Sequence, residues 1–182
     1  MKILVVSDSH LENEILENVI KKHPAMDAYI HCGDSSLKAS DPLLKKFHVV
    51  LGNHDDDYFP LEKIISIGGK KILILHGHKH NVYTDYQMIE SYMLKNDIDL
   101  CLHGHTHIPS YYKNDAITII NPGSLMINRA SYGFGTYAIV TIDNNIDVQF
   151  YHHITHDECS KKVLKNGRDT MNKIKYLLIK QK

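Results

Sequence analysis

Histidine is the residue type this sequence uses to excess. There are 14 in 182 residues, and six fall in two short windows: His76, His78 and His80, then His103, His105 and His107. Imidazoles alternating along a loop suit metal ligation and proton transfer better than packing. Two carboxylates and an amide join them. Asp8 and His10 stand in Asp8-Ser9-His10, Asp34 in Gly33-Asp34, and Asn53 and His54 in Gly52-Asn53-His54-Asp55. The set Asp8, His10, Asp34, Asn53, His76, His105 and His107 offers oxygen and imidazole donors and no thiolate. That mixture suits manganese, iron, zinc, nickel or cobalt better than a structural cysteine-type zinc site. It exceeds what one ion needs and fits two ions sharing a bridging carboxylate, a device used for in-line displacement at phosphorus.

The elements that must position these residues follow from periodicity. An apolar run at Ile3–Ser7 reads as a strand and leads into Asp8. A helical pattern from Glu12 to His23 follows, with Ile15, Leu16, Val19 and Ile20 on one face and Pro24 ending it. Ala28–His31 leads to Asp34, and Phe47–Leu51 leads to Asn53. Between them Asp41-Pro42 starts a short helix, with Asp41 as cap. Lys63–Ile67 and Lys71–Leu75 flank Gly68-Gly69 as a hairpin whose second strand ends in His76-Gly77-His78. A helix is expected over Thr84–Lys95, then a strand at Asp99–Leu102 ending in His103-Gly104-His105-Thr106-His107. Strands at Ser110–Lys113, Ala116–Ile120, Gly135–Ile142 and Asp147–His153 complete the pattern.

The implied class is α/β, with two sheets, one of parallel character and one more antiparallel, and helices outside. Every polar motif follows directly after an apolar strand. The carboxyl ends of strands are where such sheets bind ligands, so five loops are expected to converge. Gly33, Gly52, Gly77 and Gly104 each neighbour a candidate ligand, where the backbone must turn tightly.

The ordered series Asp8-Ser9-His10, Gly33-Asp34, Gly52-Asn53-His54-Asp55, His76-Gly77-His78 and Gly104-His105-Thr106-His107 resembles the calcineurin-like metallophosphoesterase superfamily. Its short length resembles the small bacterial and archaeal phosphodiesterase branch. The resemblance covers roughly residues 1–155 and implies a four-layer α-β-β-α sandwich of two mixed sheets flanked by helices. It implies one metal on Asp8, His10, Asp34 and His107 and a second on Asp34, Asn53, His76 and His105, with Asp34 bridging. The cofactor would be two divalent ions, manganese foremost, with nickel, iron, zinc or cobalt as alternatives. The implied activity is phosphodiester hydrolysis, by in-line attack of a metal-bridging hydroxide. His54 would be the general acid for the leaving alkoxide, and Asn53 would donate an amide hydrogen to the phosphate.

Two departures from the family pattern bear on this. Larger members extend the Gly-Asp motif with a further Asp and an Arg. Here Asp34 is followed by Ser35-Ser36-Leu37-Lys38, so His54 lacks that orienting carboxylate and the site lacks that phosphate clamp. Only two arginines exist, Arg129 and Arg168, neither in a motif. A site without an Arg clamp favours a diester monoanion. The small branch often has Cys at the position of His54, and a histidine is the better acid. His78 and His103 read as neighbours of the ligands. Asn121-Pro122-Gly123-Ser124 resembles a loop found near the site in that branch, although a plain turn explains it equally. His23, His31, His48, His80, His152, His153 and His156 read as structural.

Composition sets the frame. The chain suits one domain, and no apolar run approaches the roughly 20 residues of a membrane span. Three cysteines make no paired framework, which points to a reducing, cytoplasmic setting. Of the 21 basic residues, eight lie in Ser160–Lys182, with one of the 21 acidic residues, leaving an acidic body and a basic tail. The division expected is a metallophosphoesterase domain over residues 1–155 and a basic helical extension over 156–182, weakened at Gly167. That tail leaves open contacts to nucleic acid or to a second copy of the chain. The partner expected at the site is a phosphodiester-containing small molecule or nucleotide. Two rival readings remain: a non-catalytic metal-binding scaffold, and a nuclease or nucleotide phosphohydrolase.

Overall fold

The computed structural model describes residues 1–130 and 132–180. In chain order the elements are β1 (Lys2–Val6), α1 (Asn13–Lys22), β2 (Ala28–His31), a 3-10 turn (Pro42–Leu44), β3 (Phe47–Val49), β4 (Glu62–Ile67), β5 (Lys70–Leu75) and α2 (Gln87–Lys95). Then come β6 (Leu100–Leu102), β7 (Ser110–Lys113), β8 (Thr118–Asn121), β9 (Thr136–Ile142), β10 (Ile146–His152) and α3 (Ser160–Lys180). They form two five-stranded sheets, ordered β10-β9-β1-β2-β3 and β4-β5-β6-β8-β7.

Both sheets are mixed, as the resemblance implies; the residue pattern alone suggested one parallel and one more antiparallel sheet. In the first, β1 runs parallel to β2 and β2 to β3, with β9 antiparallel to both β1 and β10. In the second, β5, β6 and β8 run parallel, and β4 and β7 are antiparallel edges. The adjacent strands β5, β6 and β8 were separable from their antiparallel partners only through pairing across the sheet, which sequence order does not display.

Strand alternation builds the layers. Side chains on a strand point alternately to its two faces. Ile3 and Val5 of β1 enter a core shared with Ile72 and Ile74 of β5, between the two sheets. Leu4 and Val6 point the other way, onto Leu16 and Val19 of α1. Leu73 and Leu75 of β5 pack on Ile89 and Met93 of α2. The result is the α-β-β-α sandwich. Burial on both faces explains why β1 and β5 read as unbroken apolar runs.

Strand ends shifted by up to two residues, and two helices differ from expectation. α2 begins at Gln87 instead of Thr84, where the Asp85 carboxylate accepts from the Gln87 N–H at 3.0 Å. α3 runs unbroken through Gly167, which was expected to weaken it. A Cβ there would collide with the carbonyl oxygen of Pro109, so glycine is what lets the helix lie this close. α3 touches the edge strands β10 and β7 of both sheets, and its Val163 is fully buried in the core between them. α3 therefore closes one open side of the sandwich. Among the described residues, no helix is long and apolar enough to cross a membrane.

Candidate metal centre

Six parallel strands end at one edge of the sandwich, and each carries a polar loop. Asp8 follows β1, Asp34 follows β2, Asn53 follows β3, His76 follows β5, His105 and His107 follow β6, and Asn121 ends β8. The loops bind one another through the backbone. The Asp8 N–H donates to the Gly33 carbonyl at 3.0 Å, and the His10 N–H to the Asp34 carbonyl at 3.1 Å. The His54 N–H donates to Asp34 Oδ1 at 2.8 Å, and the His105 N–H to Asp8 Oδ2 at 3.1 Å.

These bonds hold an unusual backbone. Asp8, His10, Asp34, His105 and His107 all have positive φ, between 44° and 68°. For a residue with a Cβ this region costs roughly 1 kcal/mol or more, and it persists only where the surroundings fix it. Close approach is the other device. A Cβ on Gly104 would collide with Ser7 Oγ and Asp8 Oδ2, and one on Gly52 would strike the Asp34 carboxylate.

The candidate ligands form a graded bowl. Asp8, Asp34 and His76 are buried at its floor, His10, His105 and His107 are half-buried, and Asn53 and His54 are exposed at the rim. His107 Nε2 stands 3.1 Å from Asp8 Oδ1 and 3.4 Å from His10 Nε2. His76 Nε2 lies 3.3 Å from Asp34 Oδ2, 3.9 Å from Asp8 Oδ1 and 3.1 Å from Asn53 Oδ1. Asp34 Oδ2 is also 3.9 Å from His10 Nε2. Two overlapping groups could each hold an ion: Asp8, His10 and His107, and Asp8, Asp34 and His76. The shared carboxylate in this geometric grouping is Asp8, whereas the resemblance assigns the bridge to Asp34. The His105 ring lies 5.2 Å from that of His76, centroid to centroid, at the side of the second group.

Electrostatics follow from this crowding. Burial alone would raise the Asp8 carboxyl, but the adjacent His107 and His76 rings more than offset it, and its pKa falls below the ordinary value. Asp34 is held well below the usual carboxylate range for the same reason, with burial outweighed by His76 and the His54 N–H. Burial would lower His76, yet its bond to Asp34 and the charge of Asp8 raise it. Burial wins at His105, pushed down to about 4, so that ring is a neutral donor. One atom tests whether this set fits a cation. Asp8 Oδ1 is buried and accepts no well-aligned hydrogen bond, although His107 Nε2 stands 3.1 Å away. A buried carboxylate oxygen surrounded by imidazole nitrogens and lacking an aligned donor is costly unless a cation meets it, so the residues fit the metals the family implies.

Neighbouring residues set the frame. His76 Nδ1 meets the Cys32 carbonyl at 2.7 Å, which orients the ring so that Nε2 faces the bowl. The His54 ring stands edge-on to His10, with centroids 5.4 Å apart. His78 lies against His76 and His105 at 5.5 and 6.2 Å. His103 faces away, toward the Gly104 carbonyl and the Tyr86 hydroxyl, and burial pushes it down to about 4. His31, fully buried beneath the bowl, meets Ser9 Oγ at 3.0 Å.

Sequence reasoning gave no role to Asp55. Its Oδ2 accepts from the N–H groups of Asp34 and Gly52, and its Oδ1 from the Ser36 N–H and the Ser35 hydroxyl, at 2.8 to 3.1 Å. It ties the second loop to the third. The 121–124 loop is a second tie: Ser124 Oγ donates to the Asp8 carbonyl at 2.9 Å, and Asn121 Nδ2 to the Gly104 carbonyl at 2.7 Å. Further along, the Arg129 N–H donates to the His107 carbonyl at 2.9 Å. The Arg129 side chain is exposed and forms no ion pair among the described residues. The placement of Asp55 in a quoted motif was its only sequence signal; Arg129 had none.

An α-β-β-α sandwich with a histidine–carboxylate centre at its strand ends defines a class of metal-dependent hydrolases. The chain belongs to the calcineurin-like phosphoesterase superfamily, whose domain model matches residues 1–145. A probable metallophosphoesterase of Bacillus subtilis (strain 168), YsnB, is 36% identical over 154 residues, covering 83% of this chain and 90% of its own length. A conserved uncharacterized protein from Streptococcus pneumoniae TIGR4, described as a predicted phosphoesterase, has a crystal structure similar at TM-score 0.81 and 33% identity. That match covers 87% of this chain and 92% of the other. Vps29 from Entamoeba histolytica, solved in complex with zinc, shares the fold at TM-score 0.71 and 20% identity over 87% of this chain and 96% of its own.

Proposed function

We propose that this protein is a dinuclear metal-dependent phosphodiesterase. The observation that carries the reading is the buried Asp8 carboxylate, whose Oδ1 has only the imidazoles of other candidate ligands nearby, set within two overlapping groups of potential ligands. Asp8, His10, Asp34 and His107 would hold one cation, and Asp34, Asn53, His76 and His105 the other. Bound there, two divalent cations activate water and neutralise charge that builds on the phosphate oxygens.

The protein's own groups account for the rest. His54 is exposed at the rim beside His10, where a leaving alkoxide could take its proton. Asn53 turns Oδ1 toward His76, which leaves its amide N–H groups to donate to a phosphate oxygen. The half-buried neutral ring of His105 and the low-pKa carboxylates keep the bowl ready for cations near neutral pH. Preference for a diester follows from the cations available to grip a phosphate. Lys38 is committed to the Asp56 carbonyl at 2.7 Å. Arg129 reaches the site through its backbone, and no described arginine side chain bonds to a candidate ligand. A monoester dianion gains most from such a clamp; a diester monoanion needs it least.

The test compares bis(p-nitrophenyl) phosphate with p-nitrophenyl phosphate on metal-stripped protein reloaded with manganese, nickel, cobalt, zinc or magnesium. Faster turnover of the diester, strongest with manganese or nickel, is expected. Full metal occupancy without hydrolysis of either ester would overturn the phosphodiesterase reading and favour the scaffold.

A further inference from the structure

One face of α3 runs from the core of the sandwich to the rim of the metal centre. Val163 is buried between the sheets, and Gly167 lies against the Pro109 carbonyl. Pro109 stands two residues beyond His107, so this contact fixes the helix to the loop that carries two candidate ligands. Leu178 comes eleven residues after Gly167, three helical turns and roughly 16 Å further along the same face. There it lines a cleft of about 340 Å³ with His78, Asn81, Val82, Tyr83, Thr84 and His105.

That cleft opens directly beside a candidate metal ligand. The Tyr83 ring stands edge-on to the His105 ring at 5.4 Å, and the Tyr83 hydroxyl donates to the His105 carbonyl at 3.3 Å. The His78 ring also stands edge-on to His105, at 6.2 Å. The walls are therefore the three aromatic rings of Tyr83, His78 and His105 and the aliphatic side chains of Val82 and Leu178, with Asn81 and Thr84 beside them. Flat aromatic groups gain from ring-lined walls through stacking and edge contacts. The volume lies at the lower end of small-molecule sites, enough for one ring system with a sugar. α3 lies beyond residues 1–145, which the superfamily model matches, so this wall is an addition to the shared domain.

We propose that this cleft is the subsite for the organic group of the phosphate ester, that it takes a flat aromatic group such as a nucleobase, and that α3 closes it through Leu178. The proposal rests on the reading of the centre as a phosphoesterase site, since it needs the phosphate to sit at the metals.

The experiment measures binding of AMP, ribose 5-phosphate and inorganic phosphate to the metal-loaded full-length protein by calorimetry, for wild type, Leu178→Asp and Leu178→Phe. AMP is expected to bind at least tenfold tighter than ribose 5-phosphate. Leu178→Asp should erase that advantage without changing phosphate binding, and Leu178→Phe should keep it. If the protein hydrolyses these monoesters, the ratio of their kcat/KM values is read in the same way. An AMP advantage that is absent in wild type, or unchanged in Leu178→Asp, overturns the proposal. Failure to hydrolyse any diester would remove the phosphodiesterase reading alone, because the binding ratio does not depend on turnover.

Discussion

Two groups of histidines in this molecule keep different company. At the strand ends, His10, His76 and His107 surround the Asp8 and Asp34 carboxylates within 3.1 to 3.9 Å. Against α1, His23 Nε2 and His156 Nδ1 instead share the hydroxyl of Tyr137, at 2.8 and 3.1 Å. The rings of His23 and His156 lie 6.4 Å apart, a clustering comparable to that of the metal centre. The chemistry differs. Burial and neighbouring positive charge lower both His23 and His156, so they serve as neutral partners of a phenol. At His76 the carboxylates reverse the effect of burial. A crowd of imidazoles becomes a cation site only where buried carboxylates supply the negative charge.

That contrast can be broken by exchanging charge at either place. Asp34→Asn and Asp8→Asn should each lower metal-dependent turnover by about 1,000-fold or more and reduce bound metal measured by mass spectrometry. His156→Asn should change both by less than about threefold. A metal deficit in His156→Asn equal to that in Asp34→Asn would make the two clusters equivalent and end the comparison. Next in size, His54→Ala should lose about 100-fold in turnover with metal content unchanged, as expected for a proton donor that is not a ligand. Retained activity would remove His54 from the mechanism.

Asp55→Ala tests the support beneath the centre. It strips the N–H groups of Asp34, Ser36 and Gly52 of their acceptor. A loss of about 1–3 kcal/mol in denaturant unfolding and a 10–100-fold weaker metal affinity are expected. A variant with wild-type affinity would show that the loops hold their shape without it. Tyr137→Phe, the matching change at the other cluster, should cost about 1 kcal/mol in the same unfolding assay and leave metal binding intact. The smallest effect is expected from Arg129→Ala: less than about threefold on diester kcat/KM. A tenfold loss confined to a monoester would place the guanidinium on the phosphate.

Much of this architecture was readable from the chain. Unbroken apolar runs at residues 3–6 and 72–75, and polar motifs after each apolar run, led to a two-sheet sandwich with its loops at one edge. Asp8, His10, Asp34, Asn53, His76, His105 and His107 do lie around one bowl. Other features were not legible, for identifiable reasons. The positive φ at Asp8, Asp34 and His105 is imposed by contacts between loops distant in sequence, and residue type does not announce it. Asp55 looked like the end of a turn because its partners, Asp34 and Ser36, are about twenty residues away. Gly167 looked like a helix breaker because Pro109, the reason for it, lies 58 positions earlier. The second sheet concealed its parallel core because strand order does not follow chain order.

The central claim is that the strand-end loops hold two cations for phosphodiester hydrolysis. The most direct measurement is anomalous diffraction at the manganese edge from crystals of the manganese-loaded protein. Two peaks about 3.5–4 Å apart, with the Asp34 carboxylate between them and Asp8, His10 and His107 on one side, are the expected result. A single peak, or none at full manganese saturation, would contradict the dinuclear account.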